Sequence, residues 1–439
     1  MPGEQDVLIT GLGPVTSIGV GGEALWSSLI QGRSNVCVRH LPFDLGRMAE
    51  LPIAAMDSAA VHAVSASPAA NPVDAAIPGL DGHLRFLDTQ DAAGHRDLAY
   101  ALLAVELAIK DAKLEYDRER NEIGVVQVFE APGVESTVSR LFQMMATPPP
   151  GNGPPQVYDA LAPFFYNMQP FVYVHLMGKA FGFHGFSTSV HNACTSGAFA
   201  IEIAAQRIRS GRNEVMIVAG GEAFDTAVRL EWFRRLELYA REPVMRPFDA
   251  ESSGFYVGEG GAAIVLESRK HAESRGAKAY GEYLGGGFAQ QSWKQVIPDV
   301  RQARLHEVIK QALATTGVHA GDLDLIVPHG AATQLSDGYE ANCLTQSLRG
   351  AREHAVATAF KPIFGHLLAA NALLETIAIV LALKHQTVPP TLHTNPERVK
   401  LPISLVTATL SRPMRMAMKL STGFTGHDAA MLFRSEPID

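Results

Sequence analysis

The sequence is poor in cysteine: Cys37, Cys194 and Cys343 are all that its 439 residues contain. Three scattered thiols exclude a disulfide framework and a structural zinc cluster, and they point to a reducing, cytoplasmic setting. Positive charge is also short, with 37 Lys and Arg against 45 Asp and Glu and a net charge of −8. A broad nucleic-acid-binding surface is therefore not expected. The opening Met-Pro-Gly-Glu-Gln-Asp has no basic segment followed by an apolar one, so no secretion signal is expected. Long apolar runs are missing too. The longest, Leu367 to Leu383, is broken by Asn371, Glu375 and Thr376, which reads as a buried core helix and not as a membrane span of about 20 apolar residues. What remains is 47% hydrophobic and 19% charged, enough for a large core. At about 100–200 residues per domain, the chain holds two or three domains or one duplicated unit.

Strand and helix patterns alternate along the chain. Val7 to Thr10 reads as a buried strand running into Gly11-Leu-Gly-Pro-Val-Thr16, and a helix is predicted over 23–31. A strand, glycines and a helix resemble a dinucleotide fingerprint. Thr16 stands where its third glycine belongs and Pro14 interrupts the turn, so a nucleotide site is disfavoured. Residues 54–83 and the Pro-rich run from Thr147 read as irregular surface excursions. Helices are predicted over 97–114, 305–316 and 339–348, with strands over 123–129, 214–221 and 355–359.

Three residues sit where a strand pattern gives way to a helix pattern. Cys194 lies in Ser189-Val-His-Asn-Ala-Cys194-Thr-Ser-Gly, His329 in Val327-Pro-His329-Gly-Ala-Ala-Thr333, and His366 in Lys361-Pro-Ile-Phe-Gly-His366-Leu. Unpaired N–H groups at a helix start favour a thiolate, and one cysteine with two such histidines points to acyl transfer. Two imidazoles can also supply hydrogen-bond donors to an oxygen on which negative charge develops. His366 is read as opening a long helix whose dipole keeps its imidazole neutral.

Taken in order, these segments resemble the β-ketoacyl synthases. The resemblance runs from Val7-Leu-Ile-Thr-Gly-Leu-Gly-Pro-Val-Thr through Ala193-Cys194-Thr-Ser-Gly, Arg246-Pro-Phe-Asp-Ala-Glu-Ser-Ser-Gly-Phe and Val257-Gly-Glu-Gly-Gly. It continues with His329-Gly-x-x-Thr333, Lys361-x-x-x-Gly-His366 and Gly423-Phe-Thr-Gly. It implies an α/β fold of the thiolase type, duplicated as five αβαβα layers, with an N-terminal half over 1–265 carrying the cysteine and a C-terminal half over 266–439 carrying the histidines. It also implies a decarboxylative Claisen condensation in fatty acid or polyketide assembly. Cys194 would hold the acyl chain, and His329 and His366 the malonyl thioester and its enolate. Backbone N–H groups of Cys194 and Phe424 would form the oxyanion hole. Lys361, Glu340 and Glu375 would support the histidines, and Thr333 and Phe424 would contact substrate. No metal or other cofactor is implied, the substrates riding on the phosphopantetheine of an acyl carrier protein. The implied assembly is a homodimer, or a heterodimer with a subunit like a chain-length factor, with no nucleic acid and no membrane as partner.

Several features depart from the family pattern or stand beside it. Ala331 replaces one threonine of a His-Gly-Thr-x-Thr motif, and Thr425 replaces a glycine in the late loop, which narrows the backbone freedom expected of Phe424. His427, Asp428 and His191 add polar groups without an assigned role. The aromatic run from Phe164 could line an acyl tunnel, or serve the core or an interface. Arg207, Arg209, Arg212, Arg234, Arg235 and Arg241 could form a basic face for an acidic carrier, or be solvated singly. Two other readings stay open: a non-condensing chain-length-factor or scaffold subunit, and an acyltransferase that does not decarboxylate.

Overall fold

The computed structural model describes residues 3, 5–44, 47–56, 77–146, 162, 165–348 and 354–436. Its organising element is a 12-stranded sheet. Eleven of its strands are β1 (Val7–Thr16), β2 (Gly124–Val128), β3 (Ser187–Val190), β4 (Val215–Glu222), β5 (Gly260–Ser268), β6 (Gly281–Gln290), β7 (Leu325–Val327), β8 (Val356–Ala357), β9 (Ser404–Leu405), β10 (Met416–Thr422) and β11 (His427–Arg434). Their order is β9-β8-β7-β10-β11-β6-β1-β5-β4-β2-β3, with Gly19–Val20 paired beside β1.

The pairing repeats. From β1 outward through β5, β4, β2 and β3 the pairs are antiparallel, antiparallel, parallel and parallel. From β6 outward through β11, β10, β7 and β8 the same series recurs. An antiparallel contact between β1 and β6 joins the two series.

Period-two side chains explain the layers. Val126, Val218 and Ile264 of one series, and Val327, Ala417 and Phe433 of the other, share a core with helices Ser196–Arg209 and Asn371–His385. Their alternates, Val125, Ile217 and Val265, face a second core built on helix Arg96–Ala112. Ile326, Met418 and Leu432 face a third built on helices Arg304–Thr316 and Gln334–Ser347. Two sheet halves thus enclose a middle pair of helices and carry helices outside, the five αβαβα layers expected.

Two expectations change. The segment Gly11-Leu-Gly-Pro is not a turn but the middle of β1. A Cβ at Gly11 would lie 2.2 Å from the Ala108 carbonyl oxygen, and one at Gly13 1.9 Å from that of Ala104. These glycines let helix Arg96–Ala112 lie flush on the strand. Within the excursion over 54–83, a helix begins at Leu80, while residues 57–76 and 147–155 lie outside the described residues. The apolar stretch is the core helix it was read to be: Leu368–His385 is long and apolar enough to cross a membrane, yet 89% of it is buried inside the protein.

Candidate active site

The carboxyl ends of the parallel strands converge, as they do at ligand crevices of open α/β sheets. Cys194 follows β3, His329 follows β7, Lys361 follows β8 and Phe424 follows β10. Cys194, His329, His366, Thr333 and Phe424 line one cavity of about 610 Å³.

Cys194 is held by a knotted turn. Ala193 takes a left-handed φ of 49°, Thr195 Oγ1 donates to the Asn192 carbonyl at 2.6 Å, and the Ser196 hydroxyl accepts from the Asn192 N–H at 2.8 Å. The helix starts at Ser196. The helix start favours a thiolate, and burial works against it. Burial pushes the Cys194 thiol up, the charge of Glu130 adds to this, and Lys361 only partly offsets it.

The two imidazoles meet edge to face with ring centroids 5.4 Å apart. Burial, and then the Lys361 cation, hold both well below the usual imidazole range. The neutral state predicted for His366 holds, but its cause differs. His366 precedes a short 3-10 turn, Leu368–Ala370, ahead of the long helix. It is fixed by strand-like pairing: its N–H donates to the Tyr256 carbonyl at 2.9 Å and its carbonyl accepts from Gly258 at 3.0 Å. Gly365, at φ 76°, could carry no Cβ without meeting the Val257 carbonyl at 2.6 Å. Phe255 packs edge-on against His366 at 5.3 Å, and Phe233 links Phe255 to Phe424 at 5.3 and 6.0 Å.

Lys361, Glu340 and Glu375 lie where expected and are buried. Glu340 accepts from the N–H groups of His329 and Gly330 at 2.5 and 2.9 Å. Lys361 donates to the His329 carbonyl and to Glu375 Oε1, the latter at 3.0 Å. A second buried lysine, Lys419 of β10, reaches Glu375 Oε2 at 2.8 Å. Burial lowers Lys419 to about 8, against the pull of Glu375. Sequence reasoning missed Lys419, although a lone cation inside the apolar strand Met-Ala-Met-Lys-Leu was a visible signal.

The Phe424 loop packs on the nucleophile: a Cβ at Gly423 would stand 3.5 Å from the Cys194 backbone nitrogen. Thr425 adopts φ 62°, a left-handed geometry that β-branched residues rarely take. The loop is pinned from the segment after β6, where the Gly426 carbonyl accepts from Gln291 N–H at 2.7 Å and the Thr425 N–H donates to the Gln295 carbonyl at 2.5 Å. Asp428 is buried beside the cavity and accepts from the Tyr339 hydroxyl at 3.0 Å and from the Gln291 amide. Burial pushes Asp428 up to about 7. His427 stacks edge-on with Phe199 at 5.7 Å and does not line the cavity. His191 is exposed and bonded to Ser189 Oγ and the Phe129 carbonyl at 2.9 and 3.1 Å.

Other groupings are not brought together. Arg234 and Arg241 line the cavity mouth. Arg207 and Arg209 end the helix that starts at Ser196, about 20 Å from the cysteine at 1.5 Å per residue. Of the six arginines, Arg234 and Arg241 alone line the cavity. Of the aromatic run, Phe164 lies outside the described residues, Phe165, Tyr166 and Phe171 are exposed and Tyr173 is buried. None of these four lines the cavity. Cys37 and Cys343 do not line it, and Cys343 is buried.

A cysteine, two neutral imidazoles and a loop amide against the cysteine nitrogen can take up an acyl group and hold an enolate. Sequence comparison agrees with that chemistry: residues 4–272 match the Beta-ketoacyl synthase, N-terminal domain, and residues 280–395 its C-terminal domain. The chain belongs to the β-ketoacyl synthase family. Members of this family are acyl-transferring condensing enzymes. It is 28% identical to the 3-oxoacyl-[acyl-carrier-protein] synthase 2 of Rhizobium meliloti, over 98% of each chain. It is also 28% identical to the mitochondrial 3-oxoacyl-[acyl-carrier-protein] synthase of Arabidopsis thaliana, over 98% of this chain and 93% of that one. Among solved structures it is similar to the ishigamide ketosynthase/chain length factor, with a TM-score of 0.79, 23% identity and coverage of 98% and 99%. It is equally similar to a β-ketoacyl synthase from Burkholderia phymatum STM815, with a TM-score of 0.79, 23% identity and coverage of 98% and 100%. The thiolase-type synthase fold is thus shared.

Proposed function

We propose that the chain condenses an acyl group held on Cys194 with a malonyl thioester, both delivered by an acyl carrier protein, in fatty acid or polyketide assembly. The observation that carries this reading is the meeting of Cys194, His329 and His366 in one cavity with both imidazoles held neutral. In the first half-reaction Cys194 Sγ forms a bond to the acyl carbonyl carbon and the carrier's thiol leaves. The Cys194 proton ends on that thiol, relayed by an imidazole, because burial disfavours a standing thiolate. In the second, the bond from the malonyl α-carbon to its carboxylate breaks and CO₂ departs. His329 and His366 donate to the enolate oxygen so formed. The α-carbon attacks the acyl-Cys194 carbonyl, and the N–H groups of Cys194 and Phe424 hold the tetrahedral oxyanion. Collapse releases the Cys194 sulfur, which recovers a proton, and a β-ketoacyl thioester two carbons longer.

Lys361, Glu375, Lys419 and Glu340 are positioning residues in this scheme: Glu340 and Lys361 fix the backbone of His329, the two lysines oppose protonation of either imidazole, and Glu375 holds the lysines. Thr333 and Phe424 contact the arriving thioester arm. The chain is read as two halves, 1–265 and 266–439, with β5 (Gly260–Ser268) crossing the division, and as pairing with a second chain of the same fold, identical or like a chain-length factor. The test is product mass from acyl-carrier and malonyl-carrier proteins. A β-ketoacyl product from the native chain and none from His366→Ala supports the reading. Transfer without gain of two carbons would replace it with the non-decarboxylating acyltransferase.

A further inference from the structure

One carboxyl in the cavity has no part in that scheme. Glu130 follows the carboxyl end of β2 and lines the cavity with Cys194. Its backbone N–H donates to Glu222 Oε1 at 2.9 Å. Its Oε2 is shielded from bulk water and has no hydrogen-bond partner among the described residues. Burial pushes the Glu130 carboxyl up, and the cation that opposes this, Arg229, is committed to Glu135 and Glu222 at 2.8 and 3.4 Å. Of the charged groups, Glu130 has the largest influence on the Cys194 thiol, ahead of Lys361, and both residues line the same cavity.

A buried acceptor without a partner is costly, and a negative charge acting on a sulfur that must attack opposes the chemistry. As a base Glu130 would be redundant with two imidazoles. Its free oxygen is matched by a donor that arrives with substrate. Building on the assignment of Cys194 as acyl carrier, we propose that Glu130 is a specificity-determining residue that accepts a hydrogen bond from the Cys194-bound acyl group. The preferred acyl groups then carry a donor, a hydroxyl or an ammonium, near the thioester end. An unsubstituted alkyl chain covers Oε2 without pairing it, and sites built to pair a substrate donor reject analogues that lack it.

The test measures Cys194 acylation by intact mass over time. The full-length chain is offered carrier proteins loaded with alkyl, hydroxyacyl or aminoacyl groups of one length, with the donor moved along the chain. The native chain should load a donor-bearing acyl group about 10- to 100-fold faster than the alkyl one. Glu130→Met, of similar volume without a strong acceptor, should erase that preference by slowing the donor-bearing acyl group and speeding the alkyl one. Glu130→Gln should keep a preference for hydroxyacyl and lose one for aminoacyl, which separates the two donors. Equal loading of all three acyl classes by the native chain overturns the inference while leaving the condensing function intact, as does a preference that survives in Glu130→Met. Failure of every acyl group to load Cys194 removes the function and the inference together.

Discussion

A thiol that burial pushes toward its protonated form must lose its proton during attack, whereas the enolate needs donors that are already neutral and in place. The two half-reactions therefore lean on the histidines unequally. His366→Ala should slow CO₂ release from malonyl-carrier protein at least 100-fold, and acylation of Cys194 by a smaller factor; labelled CO₂ and intact mass read the two steps, and equal losses would contradict the division. Glu375 joins two buried lysines, so Glu375→Ala strands two cations and should cost about 3–5 kcal/mol of stability, read as a lower unfolding midpoint in urea. Asp428 carries its own pH signature. Its carboxyl is raised on folding to about 7, so its contribution is fully present below the ordinary value of 3.8 and is lost as pH rises through about 7. Asp428→Asn, which can still accept from Tyr339 and Gln291, should gain in melting temperature relative to the native chain between pH 5 and pH 8. A difference flat with pH would exclude this role. Cys194, His329 and His366 were legible because each stands in a distinctive local string. Glu130 and Lys419 were not, because what they meet is distant in sequence: the cavity shared with Cys194 for one, Glu375 for the other.

Short elements do the aiming. The pairing of His366 with Tyr256 and Gly258 depends on the bare backbone at Gly365, where a left-handed φ and the Val257 carbonyl both exclude a side chain. Gly365→Ala should cost about 1–3 kcal/mol and impair decarboxylation more than its stability loss explains; thermal melts and CO₂ release together check it. The left-handed φ at Thr425 makes the opposite prediction. Thr425→Gly should relieve local strain and speed amide hydrogen exchange over 423–427, which mass spectrometry of the exchanged peptides would detect. At this scale the sequence placed most elements well, since periods of 2 and 3.6 mark strands and helices directly. It misread Gly11-Leu-Gly-Pro as a turn because what those glycines admit, the backbone of helix Arg96–Ala112, is distant in sequence. The loop over 423–427 likewise owes its pinning to residues 291–295, a contact no local pattern records.

Across the whole molecule, one strand series is used twice, and each copy delivers reactive groups from strand ends to a shared cavity. The first supplies Cys194 and Glu130, the second His329, Lys361 and Phe424. Duplication was suggested by alternating strand and helix patterns, but only the repeated antiparallel and parallel pairings establish it, because strand order is invisible to periodicity. Joining the halves through β1 and β6 buries the middle helices, and the thiol and both imidazoles are themselves buried where they line the cavity. The same burial that makes Cys194 a poor thiolate keeps the histidines neutral, so the site suits carbanion chemistry better than a standing nucleophile. The central claim is that Cys194 carries the acyl chain that is extended. The most direct measurement is the intact mass of the native chain and of Cys194→Ala after exposure to acyl-loaded carrier protein, then to malonyl-carrier protein. The account predicts an acyl increment on the native chain alone, discharged by malonyl-carrier protein into a β-ketoacyl product. An increment that persists in Cys194→Ala, or a native chain that never acquires one while product still forms, would contradict it.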